Sequence, residues 1–411
     1  MNRIVLALLV FLLPAPVFAA PLAIVGAKIY SSPNAAAISD GTILIDKGKI
    51  VAVGETAHVK IPEGASHIDA QGLVAVAGFW NSHVHILTHD LLHADTKPPA
   101  ELSAIMQTMF TSWGFTTVFD VASVLDNTNA IRIQIASGQV TGPQILTVGE
   151  PFYPAHGTPA YVRAFFAQEH LPSDEITTIP AALARVDDEI QMGADGIKLF
   201  IGAIVGDDVG VLIMPKDQAS ALAAEAHKLH RPVFAHPSNL EGVETSIESG
   251  VDVLAHTAPM AGPWSNQLIR RMRAHHMALI PTLALFEVEA KKFGESPEDE
   301  KNDLAAAEQQ LGAYWRAGGQ ILFGTDVGYT DAYDTTEEFR LMREAGLEWR
   351  AILASLTTNP ADRFGYEKRK GRLAPGMDAD IVLLDGDPAA DVTAYARVDR
   401  VFRAGAVIYA K

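Results

Sequence analysis

Two histidines stand two residues apart in the segment GFWNSHVHI, which runs from Gly78 to Ile86 and is otherwise mostly apolar. Residues i and i+2 of a β-strand point to the same side, so His83 and His85 would project together from a strand end. Two neutral imidazoles placed in this way can bind one metal ion. Structural histidines are also common in protein cores, so a metal site needs further ligands to support it.

Further candidate ligands stand at the ends of other short apolar segments. They are Lys198 in GIKLF, His236 in FAHPS, His256 in LAHTA and Asp326 in FGTDVG. Each alone has a structural explanation, such as a helix cap for Asp326 or an ion pair for Lys198. Together with the histidine pair they occupy matched positions on five predicted strands, which favours one shared metal site.

Short strand-like segments alternate with helical patterns between residues 77 and 366, as successive βα units require. The eight predicted strands are VAGFWNSHVH, FTTVFD, QILTVG, GIKLFI, PVFAHP, VDVLAH, ALIPTL and ILFGTD. An open doubly wound sheet usually has a glycine-rich phosphate loop, and neither GxGxxG nor GxxxxGK(S/T) occurs here. The sequence therefore predicts an α/β fold with a (β/α)8 TIM-type barrel, whose active site lies at the carboxyl ends of the strands.

The regions before and after the predicted barrel are both rich in short strands. Residues 20–76 and 367–411 are expected to form one small β-sandwich domain, because neither region can bury much core alone. Residues 1–19 combine Arg3, an apolar segment and small residues, which predicts a secretory signal peptide. The apolar run of roughly ten residues is too short for a membrane anchor. We therefore expect an exported protein that is periplasmic or secreted.

Composition excludes several classes of chemistry. The chain has no cysteine, which excludes disulfides, thiolate ligands and a cysteine nucleophile. Its formal charge is −17, from 32 basic and 49 acidic residues, and this disfavours nucleic acid and anionic membranes as partners. No GxSxG motif of a serine hydrolase is present.

The constellation resembles the amidohydrolase superfamily of metal-dependent hydrolases. The HVH pair, the lysine of GIKLF, the two single histidines and the aspartate of FGTDVG match its pattern. The segments TTNPADRFG and GRLAPGMDADIVLLDGDP resemble the part with which these chains leave the barrel. The resemblance covers nearly the whole mature chain and leans toward imidazolonepropionase-like and prolidase-like members. An acidic residue often precedes the first histidine pair in this superfamily, and this chain has Asn81 there.

The resemblance implies a centre with two divalent metal ions, and zinc suits these ligand types. It implies that carboxylated Lys198 bridges the ions, with His83, His85 and Asp326 on one ion and His236 and His256 on the other. A hydroxide between the ions would attack a substrate carbonyl, and Asp326 would pass the proton to the leaving nitrogen. The expected substrate is a small amide, such as a dipeptide or an N-acyl amino acid.

Three alternatives stay open at this point. An esterase or lactonase would use the same ligands, a mononuclear deaminase or cyclic-amide hydrolase would not need Lys198, and a non-catalytic protein would bind metal without hydrolysis. Substrate contacts are predicted for Tyr153 and His156 after the third strand, and for Tyr329 and Tyr333 after the eighth. Homo-oligomers are common among such proteins, but no sequence feature decides this.

Overall fold

The computed structural model describes residues 20–206 and 209–411 of the 411-residue chain. The predicted signal peptide, residues 1–19, lies outside the described residues. Among the helices within the described ranges, none is long and apolar enough to cross a membrane.

The strands of the described residues are short, and several of them are buried along their whole length. In chain order they are β1 Leu22–Ile29, β2 Ile38–Asp46, β3 Lys49–Glu55, β4 Ser66–Asp69, β5 Val74–Ala77, β6 Phe79–Val84, β7 Phe115–Asp120, β8 Gln144–Thr147, β9 Ile197–Phe200, β10 Gly202–Gly206, β11 Gly210–Ile213, β12 Val233–His236, β13 Val253–Ala255, β14 Ala278–Ile280, β15 Gln320–Ile321, β16 Ile381–Leu384, β17 Val398–Arg403 and β18 Ala406–Ala410.

The helices alternate with the strands from β6 onward, as the sequence predicts. They are α1 Pro99–Met109, α2 Leu125–Ala136, α3 Ala160–Gln168, α4 Ile179–Gln191, α5 Lys216–Lys228, α6 Leu240–Ser249, α7 Asn266–Ala274, α8 Leu283–Phe293, α9 Pro297–Arg316, α10 Thr336–Glu344, α11 Trp349–Leu356 and α12 Thr358–Arg363. Short 3₁₀ helices span Thr111–Trp113, Pro259–Ala261 and Val392–Ala396.

Capping residues fix where helices begin after strand ends. Asn239 accepts a hydrogen bond from Gly242 N–H at the start of α6, only three residues beyond the end of β12. Ser265 does the same for Leu268 N–H at the start of α7. Side-chain caps of this kind satisfy backbone donors that have no partner within the helix. The turn from β12 to α6, which follows His236, is therefore short and well defined.

The central part of the chain forms two parallel sheets, of three and five strands. Their orders are β6-β7-β8 and β15-β14-β13-β12-β9, and these are the eight strands predicted from the sequence. Backbone bonds also connect the two sheets at both edges. Ser82 N–H donates to Phe323 O (2.7 Å), and Phe152 N–H donates to Lys198 O (2.8 Å). Isolated parallel bridges at both places give the two sheets the same strand direction.

The two terminal regions share one eight-stranded mixed sheet, in the order β18-β17-β16-β5-β1-β2-β3 with β4 beside β1. Antiparallel pairing of β16 with β5, from Ile381 opposite Ala77 to Leu384 opposite Val74, joins the C-terminal region to the N-terminal one. The two flanks therefore lie in a common sheet. A second facing layer, which a sandwich requires, and the domain limits near residues 76 and 367 stay predictions.

A buried ion pair links this flank sheet to the parallel core. Lys370 Nζ contacts the Asp380 carboxylate and donates to Thr117 Oγ1 in β7 at 3.2 Å. The two charged side chains are 5% and 6% exposed. Asp380 Oδ1 also accepts from Ala404 N–H, between β17 and β18, at 2.8 Å. Removing one partner would leave the other charge buried and unpaired, so the pair fastens the sheet to the core.

Replacing Lys370 with methionine should destabilise the protein by about 3–5 kcal/mol, because Asp380 would stay buried without its cation. Urea unfolding followed by tryptophan fluorescence measures this change. Lys368→Met is the matched control, since Lys368 is exposed and surface substitutions usually change stability by less than about 0.5 kcal/mol. Equal unfolding midpoints for the two variants would show that the ion pair does not stabilise the junction.

Candidate metal centre

Six side chains that can bind metal line one cavity of about 660 Å³ at the carboxyl ends of the parallel strands. The structure brings together all six residues singled out at predicted strand ends, namely His83 in β6, His85 just after it, Lys198 in β9, His236 at the end of β12, His256 after β13 and Asp326 after β15. They are called the ligand cluster below.

The carboxylate of Asp326 lies among three imidazoles. Its Oδ1 is 3.2 Å from His83 Nε2 and 2.7 Å from His85 Nε2. Its Oδ2 is 3.8 Å from His256 Nε2. One donor atom each of His83, His256 and Asp326 lie within 4.8 Å of one another. This spacing is compact enough for these side chains to share a metal ion.

The remaining two members of the ligand cluster adjoin this group. The ring centre of His236 is 4.9 Å from that of His256, and the His236 ring also stacks on Phe200 at 4.9 Å. Lys198 is 1% exposed, and its Nζ lies 5.5 Å from the Phe200 ring centre. An amine and a fourth imidazole therefore stand beside the three-residue group, where a second ion would need ligands.

Two of the imidazoles are oriented by contacts at Nδ1. His85 Nδ1 lies 3.1 Å from Ala122 O, and His256 Nδ1 lies 2.7 Å from Thr282 Oγ1. Because a carbonyl oxygen can only accept, His85 Nδ1 carries the hydrogen, and its Nε2 keeps a lone pair on the Asp326 side. Outer hydrogen bonds of this kind fix the tautomer and the ring orientation of metal-ligating histidines.

Burial sets the charges of the ligand cluster. Burial lowers the pKa of His83 and of His236 to about 3, and it lowers the pKa of His256 well below its ordinary value. Burial alone would raise the pKa of Asp326, but the neighbouring imidazoles, His83 foremost, hold it well below its usual range. Burial also lowers the pKa of Lys198 to about 7, against the opposing effect of Asp326. At neutral pH His83, His236 and His256 are therefore uncharged and can act as ligands.

Several buried polar atoms of the ligand cluster lack a hydrogen-bond partner. Within the described residues, neither ring nitrogen of His83 nor Oδ1 of Asp326 has a partner of acceptable geometry. An unsatisfied buried polar atom costs about 1–3 kcal/mol. A divalent cation would satisfy such lone pairs, and imidazole with carboxylate is a donor set that zinc-type ions prefer. The residues present therefore fit a bound metal.

Backbone strain is concentrated at the same place. The φ angle is 89° at His256, 62° at Asp326 and 46° at Thr282. Residues other than glycine in this region cost of order 1–3 kcal/mol each, and they persist only where the surroundings impose the conformation. Gly328 has φ 103°, and a Cβ there would lie 1.9 Å from His85 O. Glycine at this position lets the loop that presents Asp326 approach the His85 backbone closely.

The model of the amidohydrolase family matches residues 74–408 of the chain. The chain belongs to the amidohydrolase family. Members of this family depend on metal, and His83, His256 and Asp326 form a candidate metal site. The family predicted from the residues is thus confirmed, and the structural neighbours of the chain are prolidase-like amidohydrolases.

Individual relatives differ in how much of the chain they match. The dihydroorotase of Pelotomaculum thermopropionicum is 25% identical over 409 residues, which cover 86% of this chain and 87% of that protein. Amidohydrolase tasK of Hapsidospora irregularis is 54% identical over 43 residues, which are 10% of this chain and 4% of that protein. A solved Xaa-Pro dipeptidase with bound methionine has a TM-score of 0.80 at 22% identity, covering 95% of this chain and 100% of that one. The similarity to the dipeptidase structure shows that the two chains share an α/β fold.

Two of the four predicted substrate residues line the cavity. Tyr329 does so while its hydroxyl donates to Glu289 Oε1 at 3.2 Å. Tyr153 is 2% exposed, and its ring lies 4.6 Å from that of Phe200. Both tyrosines therefore line the cavity that holds the ligand cluster, and their contact with a substrate stays a prediction; Tyr329 also holds a carboxylate in the cavity wall.

His156 and Tyr333 are not among the described residues that line the cavity. His156 is exposed, and its backbone N–H donates to Glu175 Oε2 at 2.9 Å. It therefore fixes the loop after β8 through its backbone. Tyr333 is half-buried and packs against the hydrophobic core, so its ring supports the loop after β15. His156 therefore has a role in the loop backbone and Tyr333 a role in packing, and the residue types alone fit these roles as well as they fit substrate contact.

The residue that most clearly escaped sequence reasoning is Asp120, the last residue of β7. It is fully buried, its Oδ1 accepts from Ile86 N–H at 3.1 Å, and its Oδ2 accepts from Thr147 Oγ1 at 2.7 Å. Asp120 thus ties the segment after His85 to β8. The sequence does contain a signal for this residue. Asp120 is a carboxylate at the end of the apolar strand FTTVFD, which is the position that the candidate ligands occupy on their strands.

Replacing Thr282 with valine should weaken zinc binding by about 10- to 100-fold, because His256 loses the hydroxyl that orients its ring. Valine has a similar shape, so the strained backbone at this position changes little. Competition for zinc against a fluorescent chelator measures the affinity. Thr108→Val, on the exposed face of α1, is the control and should bind like the wild type. Unchanged affinity in both variants would mean that Thr282 does not support the His256 ring.

Metal-free protein in bicarbonate-free buffer should gain stability as the pH rises above 7. The pKa of Lys198 is about 7 in the fold against a usual value of 10.5. Between these values the unfolded chain binds more protons, so the free energy of unfolding increases with pH, by up to about 1.4 kcal/mol per unit. Urea unfolding of the wild type and of Lys198→Met, compared at about pH 7, 8 and 9, measures this. A difference that does not vary with pH would contradict the lowered pKa.

Proposed function

We propose that this protein is a metal-dependent hydrolase that cleaves the C–N amide bond of a small molecule, such as a dipeptide or an N-acyl amino acid. The observation that carries the proposal is Asp326 Oδ1 lying 3.2 Å from His83 Nε2 and 2.7 Å from His85 Nε2 in a cavity that Lys198 also lines. Membership of the amidohydrolase family supports this chemistry.

The proposed centre binds two divalent ions, which we take to be zinc. His83, His85 and Asp326 would hold one ion, His236 and His256 would hold the other, and carboxylated Lys198 would join the two. Bound ions of this kind polarise a carbonyl group and lower the pKa of water from 15.7 to about 7. Neutral imidazoles are the form that such binding requires, and burial keeps His83 and His236 neutral.

Lys198 needs chemical change before it can take part, because an ammonium group cannot be a ligand. With its pKa lowered to about 7, a large fraction of the amine is uncharged at neutral pH. The free amine attacks carbon dioxide, an N–C bond forms, and the nitrogen loses one proton to give a carbamate anion. The anion replaces a buried cation by a ligand of opposite charge. A mononuclear deaminase would have no use for this group, which is why we prefer an amide hydrolase.

Asp326 is the proposed proton carrier. The imidazoles hold its carboxylate ionised, so it is ready to accept a proton. Its Oδ2 is less closely engaged than Oδ1, at 3.8 Å from His256 Nε2. A carboxylate in this position can accept the proton of the attacking water and return it to the leaving nitrogen. One structural neighbour is an Xaa-Pro dipeptidase, which supports a peptide-type bond over an ester.

We further propose the setting in which this centre works. The two parallel sheets act as one closed (β/α)8 barrel, which the backbone bonds from Ser82 to Phe323 and from Phe152 to Lys198 support at the two edges. Residues 1–19 direct export, and the mature enzyme acts in the periplasm or outside the cell.

Protein produced with zinc and bicarbonate should contain close to two metal ions per chain and should hydrolyse dipeptides or N-acyl amides. Elemental analysis measures the metal content, and a substrate screen that includes lactones measures the activity.

Asp326→Asn should lower kcat by at least about 100-fold, because general acid–base catalysis contributes roughly 10²–10⁴-fold. Asp331→Asn, exposed in the same loop, is the control and should keep its activity.

The possible outcomes separate the alternatives. About one metal ion per chain would support a mononuclear deaminase or cyclic-amide hydrolase. Hydrolysis of lactones without hydrolysis of amides would assign the ester chemistry instead. Metal uptake without any hydrolysis would identify a metal-binding protein, and protein without metal would contradict the assignment of the ligand cluster.

A further inference from the structure

The cavity wall beyond the ligand cluster is largely apolar. Aromatic and aliphatic side chains from several loops and helices face it, among them Phe165, Ile204, Met260, Leu285, Phe286 and Phe293. A cavity of about 660 Å³ with such a wall has room for a ring-sized apolar group in addition to the reacting bond.

The entrance of the cavity is apolar as well. Met260 and Phe293 both line the cavity, yet they are 62% and 56% exposed, which is unusual for large hydrophobic side chains. The loop of Met260 is held in place by buried Gln310, whose side chain bonds both Ala258 N–H (2.8 Å) and Ala258 O (2.7 Å). Exposed apolar side chains on a fixed loop at the rim of a cavity mark a surface that binds apolar groups.

The charged groups in the wall are mostly acidic. The acids are Glu150, Asp174, Glu289, Glu295 and Asp303. Outside the ligand cluster, the basic side chains among the described lining residues are Lys292 and His89, and His89 Nδ1 lies 2.9 Å from Glu169 Oε1. No arginine is among those lining residues. Arg185 stands behind the wall, where its Nη1 lies 3.8 Å from Asp174 and its Nε lies 3.1 Å from Glu189. Its guanidinium is also occupied by hydrogen bonds to the backbone oxygens of Asp174 (3.2 Å) and Pro151 (2.8 Å).

Lys292 is poorly placed to bind a substrate carboxylate. Its Nζ lies 4.3 Å from the ring centre of Tyr329, where the ring face already attracts the cation. Glu289 and Glu295 stand three residues before and after it, so its charge is offset within its own segment. Glu289 is fixed there by the hydroxyl of Tyr329 (3.2 Å). Burial raises the pKa of Glu289 to about 7, so it keeps a substantial negative charge at and above neutral pH.

We infer that this site selects amides whose substituents are apolar and carry no carboxylate, a conclusion that rests on the proposed hydrolase function. A carboxylate in this wall would lose its water, would find no unpaired cation among the described lining residues outside the metal centre, and would face several acids. An apolar group would instead be covered by the aromatic wall. Within the range of small amides, the structure thus favours N-acyl arylalkylamines over dipeptides and N-acyl amino acids.

A matched pair of substrates tests this selection directly. N-benzoylphenethylamine and N-benzoylphenylalanine contain the same amide bond and the same rings, and they differ by one carboxylate. The zinc-loaded wild-type enzyme should have a kcat/KM at least about tenfold higher for the compound without the carboxylate. Titration calorimetry of both compounds should give the same order of affinity, which provides a measurement that does not depend on turnover.

Variants of the wall show whether its charge is the cause. Glu289→Gln removes one negative charge and should reduce the ratio of the two kcat/KM values by at least about threefold. Glu287→Gln lies on the same helix, away from the described cavity lining, and should leave the ratio unchanged. Equal or better turnover of the carboxylated compound by the wild type, or the same ratio in both variants, would overturn the inference.

Failure of the underlying function gives a different result. If neither compound is cleaved but calorimetry still shows preference for the uncharged one, the wall selects as inferred and the proposed amide hydrolysis is wrong. If both are cleaved and the carboxylated compound is preferred, the hydrolase stands and the inferred selection is wrong.

Discussion

The structure depends on one ionised carboxylate kept in a place that water does not reach. Asp326 is 4% exposed and is surrounded by the imidazoles of His83, His85 and His256. A buried charge is tolerated only where its surroundings are fixed and complementary. The strained backbone at Asp326 and the close approach that Gly328 permits serve that requirement. The neutral state of His83 and His256 and the lowered pKa of Lys198 follow from the same burial.

Sequence reasoning succeeded where the pattern is local. Alternation of side chains along a strand places His83 and His85 together, and alternation of strands with helices brings Lys198 and Asp326 to the same edge. It could not foresee contacts that depend on how helices pack over the strands, such as Glu289 on α8 with Tyr329. The pattern of alternating strands and helices also does not predict the antiparallel pair of β10 and β11 after β9, whose short strands lie between glycines that permit tight bends.

The ligand cluster and the cavity wall around it are positioned by different parts of the fold. The ligands stand on strand ends, and their orientation comes from neighbours on adjacent strands or loops, such as Ala122 O and Thr282. The wall stands on helices and longer loops with their own anchors. Buried Glu338, for example, accepts from Ala284 N–H at 2.8 Å and so fixes the start of α8. The wall can therefore change by substitution in these segments while the ligands stay in place, which is how one family can act on different substrates.

The position of β5 in the flank sheet has a consequence for the order in which the chain folds. All four of its residues are buried, and its antiparallel partner β16 comes from near the other end of the chain. During synthesis this apolar strand emerges early, but its edge stays unpaired until the whole parallel core has been made. Unpaired apolar edges are sites of intermolecular association. The period between the emergence of β5 and that of β16 is therefore the interval in which a nascent chain most needs protection from its neighbours.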